Sequence, residues 1–325
     1  MKRKILAFLL VIMLITCVFS PVSALNDTTS PLNNVVSFSE FDFSKRTETT
    51  KTISNPKFSQ FNDSIDTVTL STNTIDINAV DSNITGITGT DDRVLVNNTK
   101  EYPYSAIVYL FVDWGIGEKD TRATGFLISE DVVVTAAHAL YNPEKGGWPL
   151  SVRAYPAKDG DGLFDNPYGG SYSKKTGVCS VWRAAVDSGL EDSETKATIR
   201  NNDWGAIKLI RSLGKKTGSI ELRCPIDEDI ENSRITVSGY PAYVYGNTTS
   251  QVYQQYKASS YVSSYTSNLI YCQGLDASGG QSGSPMLNDN NIAYGIYTGL
   301  TNGINRGVRV TEIMLYYLNT LMINV

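Results

Sequence analysis

Histidine is nearly absent from this chain of 325 residues, which contains only His138. The four cysteines lie far apart in the sequence, and none of them has the spacing of a zinc-binding pair. A metal centre built from imidazole and thiolate ligands is therefore excluded, and we expect no metal and no other cofactor. Any reaction that needs an imidazole as proton acceptor has to use His138.

An excess of positive charge is also missing. Lysine and arginine number 28 against 33 aspartates and glutamates, which gives a formal net charge of −5. A chain of this charge lacks the basic surface that binds the phosphates of nucleic acids. Since the sequence also has no glycine-rich phosphate-binding motif, we expect neither a nucleic acid nor a nucleotide as partner.

Long apolar segments are confined to the N-terminus. Basic residues at positions 2–4 precede an apolar run over residues 5–19, and small residues follow at 22–24. This is the order of a secretory signal peptide, whereas the run is short for a membrane anchor, the alternative. We predict a signal peptide at 1–24 and a secreted, extracellular protein that has no membrane contact after its removal.

Cysteine usage is compatible with export. Cys17 leaves with the signal peptide, so Cys179, Cys224 and Cys272 remain. Three cysteines permit one disulfide and leave one thiol over. The sequence does not say which two would pair, or whether any do.

Tyrosine is missing from the segment that follows the signal peptide. All 19 tyrosines lie at Tyr102 or later, and residues 25–86 are rich in Ser, Thr, Asn and Asp. Such a shift marks the boundary between a weakly hydrophobic leader and a compact domain. The leader could be a disordered linker or a propeptide. Alternating apolar and polar residues at 65–70 indicate some strand structure and favour a propeptide at 25–86.

The sequence pattern of the remainder of the chain is that of β-structure. Turn residues separate its short segments of β-branched and aromatic residues, which favours a closed or sandwiched antiparallel sheet. One helix is predicted at the C-terminus, because Thr311 and Glu312 are start signals and apolar residues recur from Met314 to Val325 at helical spacing. The predicted strands span residues 104–112, 123–128, 131–135, 204–210, 234–238 and 292–298.

A serine between glycines stands out near the C-terminus. Residues 279–285 read Gly-Gly-Gln-Ser-Gly-Ser-Pro, with Ser282 at the centre. Glycines permit tight backbone conformations and the close approach of a substrate. A serine hydroxyl needs a base to act as nucleophile; His138 follows an apolar strand, and Asp203 opens another. The order His, Asp, Ser is that of the chymotrypsin-type catalytic triad.

These segments together resemble the secreted glutamyl endopeptidases of bacilli and staphylococci, a branch of the chymotrypsin-like serine proteases. The resemblance implies an all-β fold of two antiparallel six-stranded β-barrels, with the triad in the crevice between them and the C-terminal helix packed outside. It covers a protease domain at 87–325. The segments that carry it are residues 89–93, 102–108, 135–138, 202–207, 238–241, 279–285 and 305–309.

Chemistry and the resemblance together suggest a role for each site residue. His138 is expected to take the proton of Ser282, and Asp203 to orient the imidazole. The main-chain N–H groups of Gly280 and Ser282 are expected to form the oxyanion hole. Thr298 corresponds to a position whose hydroxyl supports the aspartate in this superfamily.

Substrate preference is where the sequence departs from the family. Tyr297 stands where glutamyl endopeptidases carry the histidine that reads the substrate carboxylate, and a tyrosine brings no positive charge. Arg183 is one candidate for that charge. Asp276, six residues before Ser282, matches the acid that selects Lys or Arg in trypsin-like enzymes. Cleavage after Glu, then Asp, is the preferred interpretation; cleavage after Lys or Arg, and a non-catalytic binding protein of the same fold, are the alternatives.

Activation can also be addressed from the sequence. Gln281, directly before the nucleophile, is neutral and cannot pair with a new N-terminal amine as the corresponding acid does in trypsin-like zymogens. The resemblance implies that removal of the leader uncovers or completes the substrate pocket, and it places the mature start near Gly86 or Ile87. No glutamate lies between Glu48 and Glu101, so a different, activating protease is expected to cut there. The predicted partners are this protease and protein or peptide substrates, and the enzyme is expected to be a monomer.

Overall fold

The computed structural model describes residues 35–54, 85–162, 165–244 and 253–323. The predicted signal peptide and the predicted strand at 65–70 lie outside these residues. All described residues belong to one compact unit. None of their helices is both long and apolar enough to cross a membrane.

Strands dominate the described part of the chain, in agreement with the predicted all-β class. In chain order they are β1 (Val35–Asp42), β2 (Thr47–Ser54), β3 (Thr85–Gly86), β4 (Val94–Leu95), β5 (Ile107–Asp113), β6 (Thr121–Leu127), β7 (Val132–Thr135), β8 (Ser151–Pro156), β9 (Ser171–Cys179), β10 (Gly205–Leu209), β11 (Arg234–Gly239), β12 (Tyr256–Tyr261), β13 (Ser264–Tyr265), β14 (Leu269–Cys272), β15 (Ala277–Ser278), β16 (Pro285–Leu287), β17 (Ala293–Thr301) and β18 (Ile304–Arg309).

The helices are short and lie at the edges of the sheets. They are α1 (Ser180–Ser188), α2 (Ser193–Asn201), α3 (Gly214–Thr217), α4 (Asp227–Ile230) and α5 (Glu312–Ile323).

Six antiparallel strands close into the first barrel. Their order is β10-β7-β6-β5-β8-β9, and pairing of β9 with β10 completes the circle. Every residue of β7 and β10 is buried, which explains why these strands read as continuous apolar runs with few polar interruptions. Their β-branched residues suit a strand that is covered on both faces.

The second sheet contains the six longer strands expected for the second barrel. The order is β13-β14-β18-β17-β16-β11-β12-β4, so two-residue strands extend both edges. No strand pairing within the described residues closes this sheet. The prediction of a chymotrypsin-like fold with a C-terminal helix is confirmed, but only the first of the two expected six-stranded barrels is closed by strand pairing. The second sheet stays open within the described residues and carries an added two-residue strand at each edge.

The C-terminal helix α5 packs as its sequence pattern predicted. Met314, Tyr317 and Leu318 are at most 1% exposed. Helices α1 and α2, which lie between β9 and β10, were not predicted from the sequence. Helix α2 is polar and begins at a local signal, the side chain of Asp192 accepting a hydrogen bond from the Thr195 N–H at 2.8 Å. Without an apolar stripe, this cap alone did not identify the helix.

Part of the leader is a β-hairpin that joins the first barrel. β1 pairs with β2 and, on its other edge, with β9. Phe38 is fully buried, stacked on Tyr317 with ring centroids 3.8 Å apart. The composition of the leader did not predict this docking, because the few apolar residues that make it, Phe38 and Ile53 in the core and Val36 and Phe43 against it, are spread among polar ones.

The three described cysteines are free thiols. Cys179 and Cys272 are buried, and this burial raises the pKa of both thiols, for Cys272 to about 12. Neither thiol is therefore a reactive nucleophile at neutral pH. The pairing left open by the sequence does not occur among Cys179, Cys224 and Cys272.

Candidate active site

Two neighbouring strands of the first barrel bring His138 and Asp203 together. β7 ends at Thr135, and a single 3-10 turn, Ala137–Ala139, then holds the histidine. Asp203 lies two residues before β10, which pairs with β7 through Gly205 and Thr135. The strand pairing thus fixes the separation of the two side chains.

The His138–Asp203 pair is held by two hydrogen bonds. Asp203 Oδ2 lies 2.7 Å from His138 Nδ1, and Asp203 Oδ1 accepts from the His138 main-chain N–H at 3.0 Å. Burial alone raises the pKa of the Asp203 carboxyl, but the charge and hydrogen bonds of His138, with a smaller contribution from Arg306, outweigh it and lower the pKa overall. The carboxylate therefore stays ionised beside the imidazole.

Ser282 lies in a loop whose shape depends on glycine. Gly280 and Gly283 have φ of 89° and 88°. A Cβ on Gly283 would lie 2.0 Å from the Thr124 oxygen, and one on Gly280 would lie 2.5 Å from the Tyr240 oxygen. Both positions therefore require glycine for conformation and for space. The Thr124 N–H donates to the Ser282 carbonyl at 2.9 Å, which ties the loop to the first barrel.

The carbonyl groups of this loop point away from the space beside Ser282. The Gly279 oxygen accepts from the Ala242 N–H at 2.7 Å, and the Gly280 oxygen accepts from the Thr124 hydroxyl at 2.8 Å. Neither the Gly280 N–H nor the Ser282 N–H donates to another described residue. Two main-chain donors are thus available beside the serine hydroxyl, the arrangement that an oxyanion hole needs.

Asp276 is an anchor for the main chain. Its Oδ1 accepts from the Thr88 N–H at 2.9 Å, its Oδ2 accepts from the Asp92 N–H at 2.8 Å, and the residue is 1% exposed. Burial and the charge of Asp276 raise the pKa of the Asp92 carboxyl. The contacts of Asp276 do not support its suggested role as a pocket acid for Lys or Arg, since both of its oxygens are already bound.

Tyr297 faces a buried amide. Its hydroxyl donates to Asn305 Oδ1 at 2.6 Å, and Asn305 Nδ2 donates to the Gly86 carbonyl at 2.7 Å. Tyr297 is 2% exposed, and its burial raises the pKa of the hydroxyl. The predicted carboxylate-reading position is thus in contact with the last residue of the leader through Asn305, which lies in the matching segment 305–309 but had no predicted role.

Thr298 binds a buried arginine. Arg306 Nη1 donates to Thr298 Oγ1, and Arg306 Nε donates to Thr301 Oγ1 at 2.8 Å. No hydrogen bond joins Thr298 to Asp203 in the described part of the chain. Arg306 is 7% exposed, and no carboxylate of the described residues lies within ion-pair distance of it. Only the resemblance pointed to Arg306, which lies in one of the matching segments.

Arg183 lies on α1, outside this cluster. It forms ion pairs with Glu48 of the leader hairpin and with Asp187, the latter at 3.3 Å. Its guanidinium group stacks over the Tyr141 ring at 4.7 Å. These contacts give no support to the suggested role of Arg183 in the substrate pocket.

The remaining geometry defines what the site can do. An imidazole backed by an ionised carboxylate, a serine on a glycine loop and two free N–H donors are the parts needed for acyl transfer through a covalent serine ester. The hydrogen bonds of the described residues include none between His138 and Ser282. Such contacts are often long in unliganded sites and tighten when substrate binds.

The sequence of this chain is similar to a known protein family and to two proteases of bacilli. The family model described as Trypsin matches residues 96–316. The glutamyl endopeptidase of Bacillus licheniformis is 28% identical over 242 residues, and an extracellular metalloprotease of Bacillus subtilis is 30% identical over 231 residues. Each match covers 70% of this chain and 66% of the relative, so the chain spans just under two thirds of the length of these relatives.

Solved structures give the same result for the fold. A Glu endopeptidase in complex with MPD superposes with a TM-score of 0.60 at 25% identity, over 72% of this chain and 98% of that one. The protease Anisep from Arthrobacter nicotinovorans has a TM-score of 0.52 at 14% identity, over 70% of this chain and 98% of that one. The second match bears on the fold alone.

Proposed function

The chain belongs to the trypsin family of serine proteases, and from that premise we propose that it is a secreted endopeptidase that acts through an acyl-enzyme on Ser282. The observation that carries this proposal is the hydrogen-bonded His138–Asp203 pair beside the loop of Ser282, whose next residue, Gly283, lies against Thr135 and Ala136 just before the histidine. The signal-peptide pattern at the N-terminus supports secretion.

The proposed reaction begins with proton transfer. The His138 Nδ1–H donates a hydrogen bond to the Asp203 carboxylate and keeps its proton, so Nε2 is free to accept the proton of Ser282 as the serine oxygen attacks the substrate carbonyl. The protonated imidazole then gives that proton to the leaving amine as the carbon–nitrogen bond breaks. In the second half-reaction a water molecule gives a proton to His138 and attacks the ester carbonyl of the acyl-enzyme. The bond to the Ser282 oxygen then breaks, the serine takes the proton back from His138, and the peptide acid is released. The Asp203 carboxylate stabilises the imidazolium that forms in each half-reaction.

The oxyanion of each tetrahedral intermediate would be bound by the N–H groups of Gly280 and Ser282. Neither N–H donates to any other residue in the described part of the chain, which supports this role. A preformed donor of this kind contributes about 3–4 kcal/mol to the transition state. Because the glycine loop is already shaped, little reorganisation is needed when the charge develops.

For the substrate we propose cleavage after glutamate, with aspartate weaker. The similarity to a glutamyl endopeptidase supports this choice. The Tyr297 hydroxyl donates to Asn305, and the Asn305 amide donates to Gly86 and Leu275, so departure of Gly86 would free one Asn305 N–H for a substrate carboxylate. The charges of Arg306 and Arg93 oppose the rise in the pKa of Tyr297 that its burial causes. In place of Arg183, we propose that Arg306 supplies the positive potential of the pocket.

The competing preference for Lys or Arg requires a free acid in the pocket. Asp276 is the candidate, but its carboxylate accepts two main-chain hydrogen bonds and is almost fully buried. A carboxylate satisfied in this way has little left to offer a substrate cation. We therefore place trypsin-like cleavage second.

The leader, residues 25–86, is proposed to act as a propeptide cut by another protease. The Gly86 carbonyl occupies the amide of Asn305, next to Tyr297. A cut after Gly86 would let this residue leave and free one N–H of the Asn305 amide for substrate. This route supports activation by completion of the substrate pocket.

Replacement of the nucleophile tests the proposed function. We expect Ser282→Ala to abolish hydrolysis of casein and labelling by a fluorophosphonate, while the circular dichroism spectrum stays unchanged. Loss of a triad member typically costs several orders of magnitude in kcat. The matched control is Ser267→Ala, at an exposed serine in a surface turn, which should retain activity. Near-normal proteolysis by Ser282→Ala would show that another residue is the nucleophile.

A further inference from the structure

Arg93 is a buried arginine beside the oxyanion loop. Its side chain has no solvent exposure. It forms a bidentate pair with Asp91, with Nε to Oδ1 at 2.9 Å and Nη2 to Oδ2 at 2.7 Å. The ion pair keeps the guanidinium plane in one orientation, because planar two-point contacts restrict rotation of both groups.

The remaining N–H groups of this guanidinium bind the loop that precedes Ser282. Arg93 Nη1 donates to Ser278 Oγ at 2.6 Å and to Gln281 Oε1 at 3.1 Å. Nη2 donates to the Tyr243 carbonyl at 2.9 Å. One buried cation therefore joins both ends of the turn Ser278–Gln281 to a neighbouring loop.

Gln281 is the residue directly before the nucleophile. It is fully buried, and its Oε1 accepts a second hydrogen bond from the Ser278 N–H at 3.0 Å. The orientation of its side chain is thus set by Arg93 from one side and by the loop's own main chain from the other. Movement of Gln281 would displace both Gly280 and Ser282, whose N–H groups face the oxyanion.

We infer that Arg93 is a positioning residue that holds the oxyanion loop in its working shape, and that it does so while the leader is still attached. This inference rests on the proposed function of the same site. The chain is uncut through the leader residues Thr85–Gly86, yet the Gly279 carbonyl already points to Ala242 and away from the oxyanion space. The cation is internal, so a new N-terminal amine is not needed to form the loop.

Loss of Arg93 would leave buried acceptors without their donor. The Gln281 amide and the Tyr243 carbonyl would lose a charged hydrogen bond, and burial without a partner is costly. The turn could relieve this by rotating the peptide that joins Gly279 to Gly280, which would turn the Gly279 carbonyl toward the oxyanion. Substrate binding at the pocket would be retained, while transition-state stabilisation would be lost.

The test compares Arg93→Met with Lys100→Met, an exposed lysine of the same segment, in the secreted enzyme. We expect kcat for a peptide amide to fall about 100-fold in Arg93→Met, the cost of losing oxyanion donors, with KM unchanged. Affinity for a peptide aldehyde, which occupies the oxyanion hole, should fall with kcat. A kcat equal to that of Lys100→Met would overturn the inference.

Two variants of the partner keep the test decisive if Arg93→Met does not fold. Gln281→Met removes the acceptor and leaves Arg93 paired with Asp91, so we expect kcat to fall with KM retained. Gln281→Glu keeps an acceptor and should preserve kcat. Full activity in Gln281→Met would contradict the role of the pair.

Labelling of the uncut chain tests the second half of the inference. The purified protein that still carries its leader should react with a small fluorophosphonate as fast as the processed protein does, and Arg93→Met should slow both. An uncut chain that reacts only after cleavage would overturn it. The proposed function fails on different results: an active Ser282→Ala enzyme, or a processed wild-type enzyme that hydrolyses no peptide bond, would refute it, and neither result concerns Arg93.

Discussion

At the scale of single residues, long-range partners decide the chemistry. The identities of His138, Asp203 and Ser282 were predictable, because each lies in a short motif at the start or end of a strand. The contacts of Arg93 with Gln281 and of Asn305 with Gly86 were not predictable, because the two residues of each pair are more than 180 positions apart in the sequence. Local composition carries no signal for such contacts.

Asp203 should give the protein a measurable pH dependence of stability. Burial, which alone would raise the pKa of its carboxyl, is outweighed by His138 and Arg306, so the pKa lies below the ordinary value of 3.8. A lowered pKa favours the ionised carboxylate in the folded state. The stabilisation is therefore complete above pH 3.8 and is lost as the pH falls through the lower, folded value.

This dependence can be measured on the inactive Ser282→Ala background, which prevents autolysis. We expect Asp203→Asn to lower Tm near neutral pH and the difference to shrink as the pH falls below 3.8. The control, Glu118→Gln at an exposed position, should show no such trend. A difference in Tm that stays constant with pH would contradict the lowered pKa.

At the scale of secondary-structure elements, the leader hairpin β1–β2 is the largest departure from expectation. Phe38 contacts Tyr317 and, at 5.6 Å between ring centroids, Trp204, which follows the triad aspartate. Glu40 binds Lys175 at 3.0 Å and accepts from the Tyr317 hydroxyl at 3.1 Å. A cut near Gly86 would break the covalent link to the domain without disturbing any of these contacts.

Truncation of Phe38 measures what the hairpin contributes. Removing a fully buried phenylalanine side chain typically costs about 3–5 kcal/mol, so we expect Phe38→Ala to lower Tm by about 10 °C in a domain of this size. Thr49→Ala, at an exposed position of the same hairpin, is the matched control. Equal Tm values for the two variants would show that the hairpin does not stabilise the protein.

The strands themselves were predictable to within a few residues wherever the barrel covers both faces. The segment 204–210 became β10 (Gly205–Leu209), and 131–135 became β7 (Val132–Thr135). The hairpin and α2 escaped notice for a common reason. Neither has a strong local hydrophobic period: β1 is held by contacts of Phe38 with the distant Trp204 and Tyr317, and α2 is polar and packs on its neighbour α1.

At the scale of the whole molecule, two sheets from different parts of the chain meet at one site. The first barrel supplies the base and the acid, and the second sheet supplies Tyr297, Thr298 and Arg306. Thr124 of the first barrel binds the loop that carries Ser282. This division means that the nucleophile and its base are aligned only when both sheets are folded and docked.

The central claim, a serine endopeptidase that selects an acidic residue, is tested most directly by a digest of a denatured proteome with the processed enzyme, with Ser282→Ala as control. We expect new peptide C-termini to be mainly glutamate, with fewer aspartates, and to be absent from the Ser282→Ala digest. Termini that are mainly lysine and arginine, or an unchanged pattern with Ser282→Ala, would contradict the claim.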